Sequence, residues 1–209
     1  MNTSQMDEVT SEDELAEIIG APLQRVIDKV RPVLDDLHAD WLSHSPFCLV
    51  ATSSADGSCD VSPKGDPPGF AKVLDAHTLA IPDRPGNRRV DGFRNILANP
   101  HVGILFMIPG RGDTLRVNGR AHLIKEAPFF DLMTVKGHRP TLALLVEVEE
   151  VFFHCSKAFI RSDLWSPGSW EPDVVPPRAV IAKALERPKD SLEELERYYS
   201  EKYAEHLYD

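Results

Sequence analysis

The chain runs to 209 residues with 33 acidic and 23 basic side chains, a formal net charge of −10 that argues against nucleic-acid binding by bulk electrostatics, since a duplex is held by neutralising its phosphates. That length accommodates one sizeable core and shows no sign of two. Three cysteines without CxxC spacing suggest neither a disulfide framework nor a zinc site, and with no leader-like apolar stretch and no run of eighteen apolar residues we expect a cytoplasmic protein without a membrane partner.

In chain order, Ser11 and Glu14 have capping-box spacing ahead of a short helix that stops near Gly20, so residues 1–21 read as a helical extension. Pro22 suits the first turn of a second helix. There Leu23, Val26, Ile27, Val30, Val33, Leu34, Leu37 and Trp41 follow 3/4 spacing, and Pro32 must kink or divide the segment. This apolar stripe is expected to cover a sheet.

From Phe47 the period changes to that of strands. FCLVATS, a turn at Ala55-Asp56-Gly57 and CDVSP read as a hairpin, with further strands at about 78–82, 101–108, 113–124 and 142–153. In the last, Leu144, Val146 and Val148 oppose Leu145, Glu147 and Glu149, the alternation of a half-buried strand. Between the strands, Gly86-Asn87-Arg88-Arg89 opens a helix that closes at Asn99-Pro100. Six or so strands joined by mostly short links predict an antiparallel barrel whose closure removes exposed edges. Beyond Trp165, SPGSWEPDVVPPR reads as an extended arm, either wrapped on a partner subunit or attached loosely. Ser191 with Glu194 then caps a terminal helix through about His206. The fold class is therefore mainly β with flanking helices, with a barrel domain over 22–165 and an arm with C-terminal helices over 166–209.

Seven arginines fall between Arg84 and Arg120 in an otherwise acidic chain. Solvated surface charge is the plain explanation for any one of them. Arg88 and Arg89 are different, because adjacent guanidiniums beside a helix start can hold a phosphate monoester by charge-assisted, bidentate contacts. Alternation places Thr114, Arg116, Asn118 and Arg120 on one face of their strand and Leu115, Val117, Gly119 and Ala121 on the other, so the polar set points away from the core. Asp60, Ser62 and Lys64 likewise share a face of the earlier strand.

The strings GNRR and NILANPHVGILF, followed by DTLRVNGRA and flanked by HSPFCLVATSSADGSCDVSPKG and HCSKAFIRSDLW, resemble the FMN-binding split-barrel family related to pyridoxamine 5'-phosphate oxidase, over roughly residues 22–165. The resemblance implies an FMN-binding split β-barrel, a homodimer with FMN at the subunit boundary, and a small-molecule substrate. Carried over by position, it implies that Ser62, Pro63 and Lys64 line the flavin ring and that Ile81, Pro82 and Asp83 approach the ring or ribityl chain. Asn87, Arg88 and Arg89 would hold the phosphate. Thr114 would reach the pyrimidine edge or ribityl chain from the other protomer, and Arg116 or Lys64 would supply a cation near the ring. Lys157, Arg161 and Trp165 would complete the site, Trp165 at the ring edge. Vitamin-oxidising members close with an Arg-x-His pair, whereas Arg161-Ser162-Asp163 puts an acid there, which argues against pyridoxamine phosphate as substrate.

Other motifs have plainer readings. Gly110-Arg111-Gly112 is a hairpin turn rather than a dinucleotide loop, because Leu115 occupies the third-glycine position. His154 and Cys155, adjacent on a strand, point to opposite faces, and no HExxH or G-x-S-x-G occurs, so no metal and no serine nucleophile are expected. Two alternatives to an FMN oxidoreductase stay open: a non-catalytic module that stores or senses flavin or haem, and a reductase using the deazaflavin F420.

Overall fold

A computed structural model of the chain describes residues 6–200 and 207–208. Seven strands form one antiparallel sheet: β1 (Phe47–Ser53), β2 (Cys59–Gly65), β3 (Lys72–Val73), β4 (Thr78–Pro82), β5 (His101–Met107), β6 (Thr114–Ile124) and β7 (Ala143–His154), in the order β2-β1-β5-β6-β7-β4-β3. Alternation decides which side is inside. Val50, Val102, Ile104, Phe106, Leu115, Val117, Val146 and Val151 are buried in one cluster, while Arg120, Glu147 and Glu149 face out. The long pair β6–β7 carries one irregularity between Asn118 and Gly119. Only glycine fits beside it, since a Cβ on Gly119 would lie 2.0 Å from the Glu147 carbonyl oxygen.

The sheet ends in β2 on one side and the two-residue β3 on the other, so the hydrogen-bonded ladder does not close, contrary to the edge-free barrel expected from sequence. Curvature nevertheless brings the ends together. Lys64 on β2 reaches Asp83, just after β4, at 2.8 Å, and Arg84 meets Asp66, just after β2, at 2.6 Å. Two ion pairs thus span the gap that backbone hydrogen bonds leave, and this is the split of a split barrel.

Helices cover the sheet less evenly than the apolar pattern suggests. α1 (Glu12–Ile19) is capped as expected, Ser11 Oγ accepting from the Glu14 N–H at 3.2 Å. The segment over 23–41 is divided, as Pro32 required it to be divided or kinked, into α2 (Gln24–Ile27) and α3 (Asp36–His44). Pro32 cannot donate, and Arg31 leaves the helical path to exchange backbone hydrogen bonds with Val151. Only part of the stripe covers the core: Leu34 and Trp41 are buried, whereas Leu23, Val26, Ile27 and Leu37 are exposed. Trp41 packs edge-on against Phe153.

α4 (Asp91–Ala98) packs on β1, β2 and β6, burying Ile96. After β7 come α5 (Lys157–Arg161), two 3₁₀ turns each begun by a proline at Pro167 and Pro172, α6 (Arg178–Leu185) and α7 (Leu192–Tyr198). The expected capping box of the last helix is present, with Ser191 and Glu194 bonding reciprocally. Residues 201–206 of its expected span lie outside the described ones. α6 was hidden in the sequence behind the proline run. Among the described residues no helix is long and apolar enough to cross a membrane.

Candidate functional site

A cleft of about 540 Å³ opens at the split. One wall is β2 from Asp60 to Gly65 with Asp66. The opposite wall is the end of β4 and the turn from Pro82 to Val90, and the start of α4 closes the third side with Asp91, Gly92 and Phe93. Val50, Phe70, Ile96 and Leu144 form an apolar floor continuous with the core. The dimensions suit one small organic ligand rather than a chain segment.

The turn is built differently from a plain helix start. Asn87 Oδ1 accepts the Arg89 N–H at 2.9 Å, folding the chain back before α4 begins at Asp91, so the helix opens two residues after the expected Gly86–Arg89 start. This local bond competes with helical pairing and leaves Arg88 with a left-handed backbone, φ 61°. Such a conformation costs an arginine roughly 1 kcal/mol or more, the kind of strain that functional loops retain. No side chain caps α4, and Asp91 occupies its first turn.

Charge in the cleft is nearly all paired. Lys64 is held by Asp83 and lies 4.8 Å from the centre of the Phe93 ring; Arg84 is held by Asp66; Arg89 is held by Asp91. Asp91 is accordingly kept below the usual carboxylate range by the Arg89 hydrogen bond. Among the described residues that leaves two cleft-lining charges without an ion pair: Arg88, exposed, and Asp60, half-buried. Asp60 Oδ2 packs against Gly92, where a Cβ would sit 3.1 Å from it. An incoming anion therefore meets one unengaged guanidinium, Arg88, and can recruit Arg89 only by exchange with Asp91.

Of the residues singled out from sequence, Ser62, Pro63, Lys64, Pro82, Asp83, Asn87, Arg88 and Arg89 all line this cleft. Ile81 does not: it is fully buried in the core. Thr114 and Arg116 lie on β6, away from the cleft lining. Thr114 is buried opposite His154, and Arg116 sits half-buried with its guanidinium 5.2 Å from the Phe152 ring centre. Lys157 and Arg161 belong to α5, and Trp165 stacks on Phe159 and donates its indole N–H to the Arg111 carbonyl at 2.7 Å. None of this second group lines the cleft.

Sequence reading did not single out Asp66, Arg84, Gly92 or Phe93. Arg84 stood in the arginine cluster, but its partner Asp66 is 18 residues away with no periodic relation to it. No group of three or more His, Cys, Asp or Glu side chains that could hold a metal occurs among the described residues.

Comparison with known proteins places this geometry. Residues 34–155 match the family profile for pyridoxamine 5'-phosphate oxidase. No curated protein sequence matches significantly. Among solved structures, HupZ of Group A Streptococcus is 21% identical, with 57% of this chain and 93% of that chain covered and a TM-score of 0.46. A candidate pyridoxamine 5'-phosphate oxidase of Lactobacillus delbrueckii is also 21% identical, with 58% and 95% covered and a TM-score of 0.45. An FMN-binding protein of Syntrophomonas wolfei is 11% identical, with 68% and 93% covered and a TM-score of 0.43. The matched segment of this chain contains every strand of the sheet and the whole lining of the cleft, and the protein belongs to the pyridoxamine 5'-phosphate oxidase family.

Proposed function

We propose that the protein binds FMN in the split of its barrel as a homodimer and uses it as a flavin-dependent oxidoreductase on a small molecule in the cytoplasm. The observation that carries this reading is the cleft itself, with an apolar floor, a polar β2 wall and one uncompensated guanidinium on the facing turn. A phosphate monoester would take Arg88 directly, with Arg89 released from Asp91 to join it. Ser62, Pro63 and Lys64 would face the ring from one wall, Pro82 and Asp83 from the other.

FMN, when bound, supplies the redox chemistry, and the chain supplies position and field. Lys64, fixed by Asp83 and by the face of Phe93, presents an oriented ammonium to the ring side of the cleft. Enclosure of a three-ring flavin needs a further wall, and an isologous partner would bring Thr114, Arg116, Lys157, Arg161 and Trp165 to it. Among the described residues no histidine lines the cleft, which disfavours haem, and beyond Arg88 and Arg89 the cleft cations Lys64 and Arg84 are held by Asp83 and Asp66, which disfavours the longer anionic tail of F420. The free cysteines, two of them exposed, fit a reducing compartment.

The test is direct. Purified protein should carry, or gain on incubation with FMN, the visible absorbance of a bound flavin, and should sediment as a dimer. Parallel titrations with F420 and haem that bound more tightly than FMN would replace the assignment.

A further inference from the structure

Tyr208, 142 residues along the chain from Asp66, donates its phenolic proton to Asp66 Oδ1. Its ring is caged. The Arg84 guanidinium lies 5.5 Å from the ring centre, the Lys136 ammonium 5.7 Å, and His138 stacks on it at 5.5 Å with a 27° tilt. Asp66 is the residue whose other oxygen accepts from Arg84 Nε, and both of them line the cleft. The Arg84 guanidinium is committed further, to the carbonyls of Met133 at 2.6 Å and His138 at 3.2 Å.

The other half of the cage is a two-residue turn, in which Val135 and His138 exchange backbone hydrogen bonds across Lys136 (φ 49°) and Gly137 (φ 83°). Positive φ at both central residues is the geometry of a tight hairpin turn, and glycine or asparagine is the usual choice. A lysine accepts strain here, and the turn it makes presents Lys136 and His138 to the Tyr208 ring.

We propose that Tyr208 is a positioning residue for the cleft: by completing the hydrogen bonding of Asp66 and covering Arg84, it fixes the ion pair that joins the two walls, and so sets how tightly a ligand is held. This rests on the flavin reading for the identity of the ligand, but not for the mechanical claim. With the Tyr208 ring covering it, the Asp66 side chain is 1% exposed, so a variant that keeps the ring but lacks the phenol leaves that oxygen without a donor. Loss of that donor leaves the pair free to shift, and with it Pro82–Val90, the turn that carries Arg88.

Two measurements on the full chain separate the claims. Hydrogen–deuterium exchange of the flavin-free protein should show segments 59–66 and 83–90 exchanging faster in Tyr208→Ala than in wild type, with segment 101–124 unchanged. Tyr208→Phe, which keeps the caged ring, should fall between them. FMN titration should then give dissociation constants raised about threefold to tenfold by Tyr208→Phe and further by Tyr208→Ala. If wild type binds no FMN while the local exchange difference is present, the flavin reading falls and the positioning role stands. Unchanged exchange in both variants, or a uniform rise across all three segments, overturns the proposal.

Discussion

Across β5, β6 and β7 the chain is joined by an antiparallel ladder over a packed apolar face, whereas among the described residues β2 and the end of β4 are joined across the split by the side-chain pairs Lys64–Asp83 and Arg84–Asp66. On the first side backbone hydrogen bonds make the joint, so surface charge there matters little. On the second side side-chain charges make the joint, and the cavity exists because the ladder stops. A gap in a barrel is thus a place where a ligand, rather than a neighbouring strand, can satisfy the polar groups of two sheet ends.

The largest effects should distinguish these two joints. Asp66→Ala strips the partner from a nearly buried Arg84 and leaves that charge uncompensated, and is expected to lower stability by about 3–5 kcal/mol in denaturant unfolding. On the ladder side Gly119→Ala forces a methyl into the Glu147 carbonyl and should lower stability by roughly 3 kcal/mol without specifically affecting ligand binding. Equal loss of ligand affinity in the two variants, at matched stability, would erase the proposed contrast.

Arg88 sharpens it in the opposite sense. Arg88→Gly relieves a left-handed arginine and should raise stability by up to about 1 kcal/mol while weakening FMN binding, a separation of fold from function measurable by thermal unfolding and titration on the same samples. Arg89→Ala, which removes a guanidinium already engaged by Asp91, should weaken binding less than Arg88→Ala.

The smallest effect is acid sensitivity on the ladder side. His38, its ring tilted against Phe153, and His154, at the end of β7, are both held below the ordinary histidine value of 6.5, chiefly by desolvation, which is partial at the more exposed His154, where Arg116 and Lys29 add to the effect. A folded state that resists protonation loses stability once the unfolded chain can take the proton, so stability should be level above 6.5 and fall as the pH drops below it. Replacing His154 with Gln should flatten part of that fall. A profile in the double variant His38→Gln/His154→Gln as steep as that of wild type would assign the effect elsewhere.

Much of this was legible from residues alone, and for physical reasons. Period-two alternation in 113–124 and 142–153 located β6 and β7 to within a residue, because each has one face in the core. The structure puts the Pro82–Arg89 segment on the cleft wall, and that this segment is a turn leading into a helix was legible because Gly86-Asn87 is a local turn signal. The open ends of the sheet were not, since alternation reports which face is buried and not which strands pair. Nor was the backward fold at Asn87, where a side-chain oxygen outbids the helical partner of one N–H. Asp66 and Tyr208 carry no local pattern at all: each acquires its role only from contacts distant in sequence.

The central claim is that Arg88 is the unengaged anchor of an FMN phosphate in the split. Equilibrium titration of wild type and Arg88→Ala with FMN, followed by flavin fluorescence, tests it most directly. The account predicts saturable, stoichiometric binding by wild type and a dissociation constant about tenfold to a hundredfold higher in the variant. Absence of binding by wild type, or equal affinity in the two proteins, would contradict it.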